Sequence, residues 1–381
     1  MYVESKFGEL KFWFKRKFCS ANKNLSDAQL LHLAAACDAS KSIVNMIKNG
    51  FDLNSVDENG DTALHISLKK KAFNAAIILS SNTKNLNIQN NEGETALHLA
   101  VNFFQKQYSL GEYITLRTVF SNICRPGVDV NILDKNGKSP FCYVVQNDLT
   151  DIAERVCCQG AKVNDSYQGM PFLAMALKHE TNKMLLILLS NGGNVNLIDD
   201  SGKSLLHHAV ETRRLKAVNW LIDEKVDLDI QDKEGNTALI CAIKEGESAI
   251  ARELIFKKAD VNLKNKQGAT ALMWAAFGGN IAVMTRLIEN NADLDMVASF
   301  GTALMCAIEA NQTEAAYLLL DAGADLFLKN SKGKDAFNLA MEKEQFNIVK
   351  KIKTLAKGQM KRQIIQQKTA VKKVEKQLEK E

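Results

Sequence analysis

The apolar positions of the chain come in pairs of short runs at helical spacing, such as Val218, Leu221 and Ile222, then Ala238, Leu239 and Ala242. Residues three and four apart share one side of a helix, so each run predicts a short amphipathic helix. A polar turn precedes every first run, reading Asp57-Glu58-Asn59-Gly60 or Asp232-Lys233-Glu234-Gly235, and the glycine supplies the positive φ of a tight turn. A Thr follows, suited to cap the helix that begins there. Aligned on that Thr position, the chain shows Gln29, Thr62, Thr95, Ser139, Met170, Ser204, Thr237, Thr270, Thr302 and Asp335, separated by 33, 33, 44, 31, 34, 33, 33, 32 and 33 residues. Ten copies of one unit fill the chain. A single helical hairpin cannot bury both of its faces, so stacking on neighbours must supply the core.

The whole phrase recurs, with Thr95-Ala96-Leu97-His98-Leu99-Ala100 at one end of a unit and Leu319-Leu320-Asp321-Ala322-Gly323-Ala324-Asp325 at the other. It resembles the ankyrin repeat, from Leu25 to Lys357. The resemblance implies an all-α solenoid of stacked helix-turn-helix repeats with short β-hairpin loops. The expected organisation is a basic aromatic N-terminal segment (1–24), the array (25–357) and a basic, helical C-terminal tail (358–381). With only three prolines in the chain, Ala usually replaces the Pro that often follows the family's Thr, and those helix starts lose a pre-set φ.

Composition narrows the function classes. Hydrophobic content of 46% and charged content of 24% are those of an ordinary globular chain. The two flanking segments are too short to bury cores of their own, which leaves no room for a catalytic domain. No apolar run reaches the length of a membrane span, and Lys6, Lys11, Lys15, Arg16 and Lys17 interrupt the first segment where a secretory signal would be apolar. The expected location is intracellular, in the cytoplasm, with a nuclear or host-cell site left open. Eight cysteines agree: Cys37, Cys142, Cys157, Cys158, Cys241 and Cys306 fall on predicted helices as small buried thiols.

Histidine is the commonest catalytic and metal-binding side chain, yet His32, His65, His98 and His207 all occupy one slot, three residues after the Thr position. The resemblance implies that these rings brace the turns of neighbouring repeats. Ile240, Met273 and Met305 fill that slot later, which no shared metal row would tolerate. His179 and His208 lack a Cys, Asp or Glu set at motif spacing, and Cys157-Cys158 point about 100° apart on a helix. No phosphate loop, nucleophile with its base, metal set or cofactor motif is present, so an enzyme is not expected. The family's hairpin asparagine, here Asn54, Asn87, Asn131, Asn164, Asn196 and Asn262, has a structural turn role and, in some members, accepts a hydroxyl group.

Function therefore points to protein binding. In the resembled family, partners lie along the concave face, made of hairpin tips and exposed sides of first helices. Here that surface includes Glu58, Asn59, Asp61, Asn91, Glu92, Glu94 and Phe103 early in the chain. Later it includes Asp200, Lys203, Lys233, Glu234, Asn236, Lys266, Phe277 and Phe300, the two phenylalanines being apolar where a solvated tip prefers polar residues. Eleven extra residues, Gln105 to Thr115, are expected as a loop between two helices, with Phe103, Phe104, Tyr108 and Tyr113 as a contact surface or a tolerated insertion. A worn stretch at 160–172 predicts a local irregularity.

Each flanking segment carries a net charge of +4 against +5 for the whole chain, so the array is mildly acidic and no specific nucleic acid is expected as partner. Phe7, Leu10, Phe14 and Phe18 share a helical face that fits either a cap over the first repeat or contact with a membrane surface. Met360, Ile364, Val371, Val374 and Leu378 give a broken heptad seam, a weak signal for self-association. Beside the scaffold reading stands a second: a membrane-associated or self-associating scaffold directed by these ends, or a host-directed effector.

Overall fold

The computed structural model describes residues 25–104 and 109–357. They fall into two compact units divided between Asn194 and Val195, each holding five repeats. In the first unit the first helices are Asp27–Ala36, Ala63–Lys69, Ala96–Phe103, Pro140–Gln146 and Phe172–Ala176. Their second helices are Ser40–Lys48, Phe73–Asn82, Leu110–Ile123, Thr150–Cys158 and Lys183–Ser190. The second unit repeats the pattern with first helices Leu205–Glu211, Ala238–Lys244, Ala271–Phe277, Ala303–Glu309 and Ala336–Glu342. Leu215–Asp223, Ser248–Phe256, Ile281–Glu289 and Thr313–Ala322 are their partners, and residues 346–357 are helical at the end. None of these helices is long and apolar enough to cross a membrane.

Outside repeat 5, the first helices start where a side-chain cap stands. The Thr62, Ser139, Thr237, Thr270 and Thr302 hydroxyls accept the N–H three residues on, and the Asp335 carboxylate does the same for Asn338. Repeat 1 departs from the sequence alignment: Ser26, not Gln29, is the cap, and Gln29 closes a reciprocal capping box with it at 3.0 and 3.2 Å. Inside each unit, fully buried leucines such as Leu64, Leu97, Leu239, Leu272 and Leu304 form the core between neighbouring repeats. Stability is thereby carried by repeat-to-repeat interfaces.

Hairpins are stitched to hairpins. The Asn91 N–H donates to the Asn59 carbonyl at 2.8 Å, and Lys135 to Glu92, Lys233 to Ser201 and Lys266 to Glu234 repeat the link at 2.9 Å. The hairpin glycine is required twice over at this approach. Gly235 has φ +78°, and a Cβ there would stand 2.8 Å from the Lys266 nitrogen. The hairpin asparagine adds a second stitch: Asn131 Nδ2 donates to the Gly160 carbonyl at 3.0 Å while its Oδ1 accepts from Lys162 N–H at 3.0 Å.

Three repeats deviate. The extra residues in repeat 3 do not form a plain loop, because 110–115 extend the second helix, which runs 14 residues from a Ser109–Glu112 capping box. Its aromatics pack on neighbouring rings, with Phe103, Phe104 and Tyr113 staying half-exposed: Phe104 lies edge-on to Tyr113 and Phe120, Phe103 packs on Phe73 at 5.3 Å, and the Tyr113 hydroxyl donates to Asp151 at 2.9 Å. Repeat 5 has Met170 in the cap position, and its hairpin closes as a two-stranded ladder, Ser166–Tyr167 with Met170–Pro171. Without a side-chain cap at Pro171, the helix that follows is five residues long. In repeat 9, Gly301 directly precedes the capping Thr302, with φ 121° against 78° at Gly235 and Gly268.

Three cysteine expectations need correction. Cys37 and Cys158 are exposed, Cys37 because it stands at the C-cap beyond its helix, while Cys124, outside the expected set, is buried. Burial raises the thiols of Cys124 and Cys142 to about 11 and of Cys157, Cys241 and Cys306 to about 12. Cys124, Cys142, Cys157 and Cys306 are buried, unreactive thiols, whereas Cys241, expected to be buried, is half-buried. The membrane-contact, capping and self-association readings of 1–24 and 358–381, and Tyr108 with them, lie outside the described residues.

Candidate functional site

In repeats 2, 4, 6 and 10 the hairpin side of the first helix carries a side-chain pair, made of the residue before the cap and the last residue of the helix. Eight residues apart, the two project toward each other over the cap. Lys69 reaches Asp61 at 2.7 Å, Lys138 reaches Gln146 at 2.7 Å, Lys334 reaches Glu342 at 2.7 Å, and Lys203 is ion-paired with Glu211. These pairs roof the helix surface beneath. In the same stretch Tyr143 donates to Asp134 at 2.6 Å and His208 Nε2 meets Asp199 at 3.0 Å, so the turn aspartates are also occupied.

Repeats 8 and 9 break this roof. The pair in repeat 8 is Ala269 and Phe277, and in repeat 9 Gly301 offers no side chain to Glu309, which pairs instead with Lys343 of repeat 10 at 3.1 Å. An apolar pocket of about 250 Å³ opens there, walled by Gln267, Ala269, Met273, Trp274, Phe277, Phe300, Cys306 and Glu309. Phe277 and Phe300 remain 51% and 42% exposed. Trp274 stands edge-on to Phe277 at 6.4 Å, Lys244 Nζ lies 5.0 Å from its ring centroid, and its indole N–H is buried with no acceptor among the described residues.

The residues singled out from the sequence divide by exposure. Glu58, Asn59, Asn91, Glu92, Asp200, Lys233, Glu234, Lys266, Phe277 and Phe300 are exposed, and Glu94, Phe103 and Lys203 are partly so. Asp61 and Asn236 are not available as a surface, being 4% exposed each. Asp61 accepts from Lys69 and from Asn90 Nδ2 at 2.9 Å, and Asn236 Oδ1 accepts from Asn265 Nδ2 at 3.0 Å, so both tie one hairpin to the next. Sequence reasoning missed Ala269, Met273, Trp274, Cys306 and Glu309. The legible signal was the apolar Ala269–Phe277 pair in slots that sister repeats fill with polar partners.

The recurring histidines are bracing groups. The Thr62 N–H donates to His65 Nδ1 at 3.2 Å, which fixes the tautomer so that Nε2–H donates to the Glu94 carbonyl of the next repeat at 3.1 Å. His98 with Lys138 and His207 with Asn236 repeat the arrangement at 3.1 and 3.0 Å. Burial is the largest cause holding all three rings below the usual histidine value. His207, Asp232 and Cys241 bring ligand-type atoms within 4.8 Å of one another. Two of the three already serve the fold: Ser204 and Asn236 take both His207 nitrogens, and Asp232 Oδ1 accepts the Glu234 and Asn236 N–H groups at 3.0 and 2.7 Å.

A family model described as ankyrin repeats (3 copies) matches residues 31–114 and, in overlapping copies, 173–265, 206–298, 247–330 and 272–364, well over half of the chain. The chain belongs to the ankyrin-repeat family. Among curated ankyrin proteins, it is 28% identical to the fowlpox virus (strain NVSL) ankyrin repeat protein FPV034 over 102 residues, 27% of this chain and 24% of that protein. It is 30% identical to FPV224 of the same virus over 112 residues, 24% of this chain and 77% of that protein. The chain thus spans about a quarter of the length of FPV034. The crystal structure of the ankyrin repeat domain of Bcl-3, described as a unique member of the IkappaB protein family, superposes with a TM-score of 0.52 at 20% identity, covering 57% of this chain and all of that one. That likeness concerns the fold. Ankyrin repeats are protein–protein interaction modules.

Proposed function

We propose that this ankyrin chain is a non-enzymatic scaffold that binds a protein partner on the hairpin tips and first helices, with its centre in repeats 8 and 9. The observation that carries the reading is the pair of exposed phenylalanines, Phe277 and Phe300, around a pocket, on a surface where repeats 2, 4, 6 and 10 place paired polar groups. Large apolar side chains left in water at a rigid site are the side chains that anchor interfaces. Exposed tip residues Lys233, Glu234 and Lys266 form the polar surround, and Glu58, Asn59, Asn91 and Glu92 are exposed tip residues of the first unit.

The test is quantitative capture of lysate proteins on the full chain, on Phe277→Ala/Phe300→Ala, and on Phe256→Ala. Phe256 is 73% exposed at the end of a second helix and controls for non-specific stickiness. Partners lost with the double variant and kept with Phe256→Ala support the reading. Capture that ignores Phe277 and Phe300 counts against it.

A further inference from the structure

Of the features on this surface, the pocket of repeats 8 and 9 says most about its occupant. Its walls are aromatic and sulfur-bearing, from Met273, Trp274, Phe277, Phe300 and Cys306, and its volume of about 250 Å³ accommodates one large side chain. Such a lining attracts either an apolar group or, through the ring faces, an organic cation. The surrounding charges separate these. A cation is already supplied by the chain, since the Lys244 ammonium sits over the Trp274 ring. The one carboxylate in the wall, Glu309, is already paired with Lys343 at 3.1 Å. An incoming cation would meet Lys244 and find Glu309 occupied.

The rim carries the opposite preference. Lys244, over the Trp274 ring, and Lys266, next to the wall residue Gln267, are both exposed beside the carboxylates of Glu245 and Glu234, and neither lysine is in an ion pair among the described residues. Positive potential around an apolar slot steers carboxylates toward it. We propose that this pocket takes one large apolar side chain from an acidic, extended segment of a partner protein, whose flanking carboxylates meet Lys244 and Lys266. The proposal rests on the protein-binding reading above and names the chemistry of the ligand at its central site.

Sister repeats supply a way to close the pocket. The double variant Ala269→Lys/Phe277→Glu recreates the Lys–Glu pair that repeats 6 and 10 form, Lys203 with Glu211 and Lys334 with Glu342, so it roofs Trp274 with a combination the fold already uses. The full chain is panned against a phage-displayed library of random dodecapeptides, and selected peptides are measured by fluorescence anisotropy. The expected winners share one Leu, Ile, Met, Phe or Trp flanked by Asp or Glu. Their affinity falls by more than about tenfold on the double variant and by severalfold on Lys244→Gln/Lys266→Gln. The indole N–H resonance of Trp274, assigned with Trp274→Phe, shifts when they bind.

Phe300→Ser carries the same test if the double variant fails to fold. Basic winners, winners without a common apolar residue, or tighter binding after the anchor is replaced by trimethyllysine would overturn the proposal. So would a panning that enriches nothing. Winners that bind the double variant as well as the native chain also overturn it; if they then protect another part of the hairpin and first-helix surface from hydrogen exchange, the broader protein-binding reading survives.

Discussion

The Nε2–H of His207 donates across a repeat boundary to the carbonyl oxygen of Asn236, 3.0 Å away. His65 and His98 make the equivalent bond to Glu94 and Lys138, and burial, the largest cause, holds all three rings below their usual value. The unfolded chain therefore takes up more protons than the native one as pH falls below about 6.5. The stability that the neutral rings contribute is complete above that value and is lost as pH falls toward the lowered native values. Urea midpoints measured at about pH 7.5 and about pH 5.5 should decline with acid, and His207→Gln should flatten that decline. A midpoint that rises on acidification would contradict the bracing role.

Asp229 and Asp295 stand where other repeats have the stitching asparagine. Each still accepts one N–H, from Asp260 at 2.8 Å and Asp325 at 2.7 Å, but a carboxylate cannot donate to the carbonyl that Asn131, Asn164 and Asn262 reach. Burial, the first cause, raises both carboxyl groups above the usual aspartate value. Asp229→Asn and Asp295→Asn should each stabilise the chain by about 1 kcal/mol, read as a higher denaturation midpoint at neutral pH.

Gly235→Ala should cost about 2 kcal/mol or more, because the new Cβ would meet the Lys266 nitrogen at 2.8 Å in a left-handed backbone. Gly246 provides the control: its φ is +77°, yet nothing lies within 4 Å of an added Cβ, so alanine there bears the backbone strain alone. Equal losses at the two sites would show that the hairpins do not press on one another as described.

Leu272 is fully buried between its neighbours, and Leu272→Ala should cost about 2–5 kcal/mol through the cavity left behind. Chemical denaturation is the measurement, with hydrogen exchange showing the loss concentrated in repeats 7 to 9.

At the candidate site the outcome is the reverse. Phe277→Ala and Phe300→Ala should each weaken partner capture by more than about 1 kcal/mol and leave the melting temperature within a few degrees. Binding lost only together with folding would remove the two rings from the interface.

What the sequence made legible was whatever recurs. Thr62, Thr95 and Thr237 announce helix starts because capping is local chemistry, and Leu239 and Leu272 announce core because period and burial coincide. Asp61 and Asn236 read as surface because they are polar and sit beside a turn; only the arrival of Asn90 and Asn265 from the following hairpins buries them. Repeat 3 misled similarly, since Ser109 with Glu112 was a capping box inside what reads as an insertion. Trp274 was hidden by its own position on a first helix, where an aromatic reads as core. It is uncovered by what Ala269 and Gly301 lack, and a missing side chain leaves no mark on a hydrophobicity pattern.

The turn of repeat 9, with Gly301 set directly against Thr302, has a meaning for how such a surface changes over generations. Exchanging one residue for another at a tip retunes a contact, but the spacing of 32 between Thr270 and Thr302 is one codon short of its neighbours at 33. A turn one residue shorter leaves Glu309 without a partner eight positions before it, while Leu304 of the same helix stays fully buried. Reinserting that codon with a lysine would furnish Glu309 with a partner inside its own repeat, while the wall that Ala269 and Phe277 contribute from repeat 8 would stay as it is, so heredity can alter one side of this pocket at a single position.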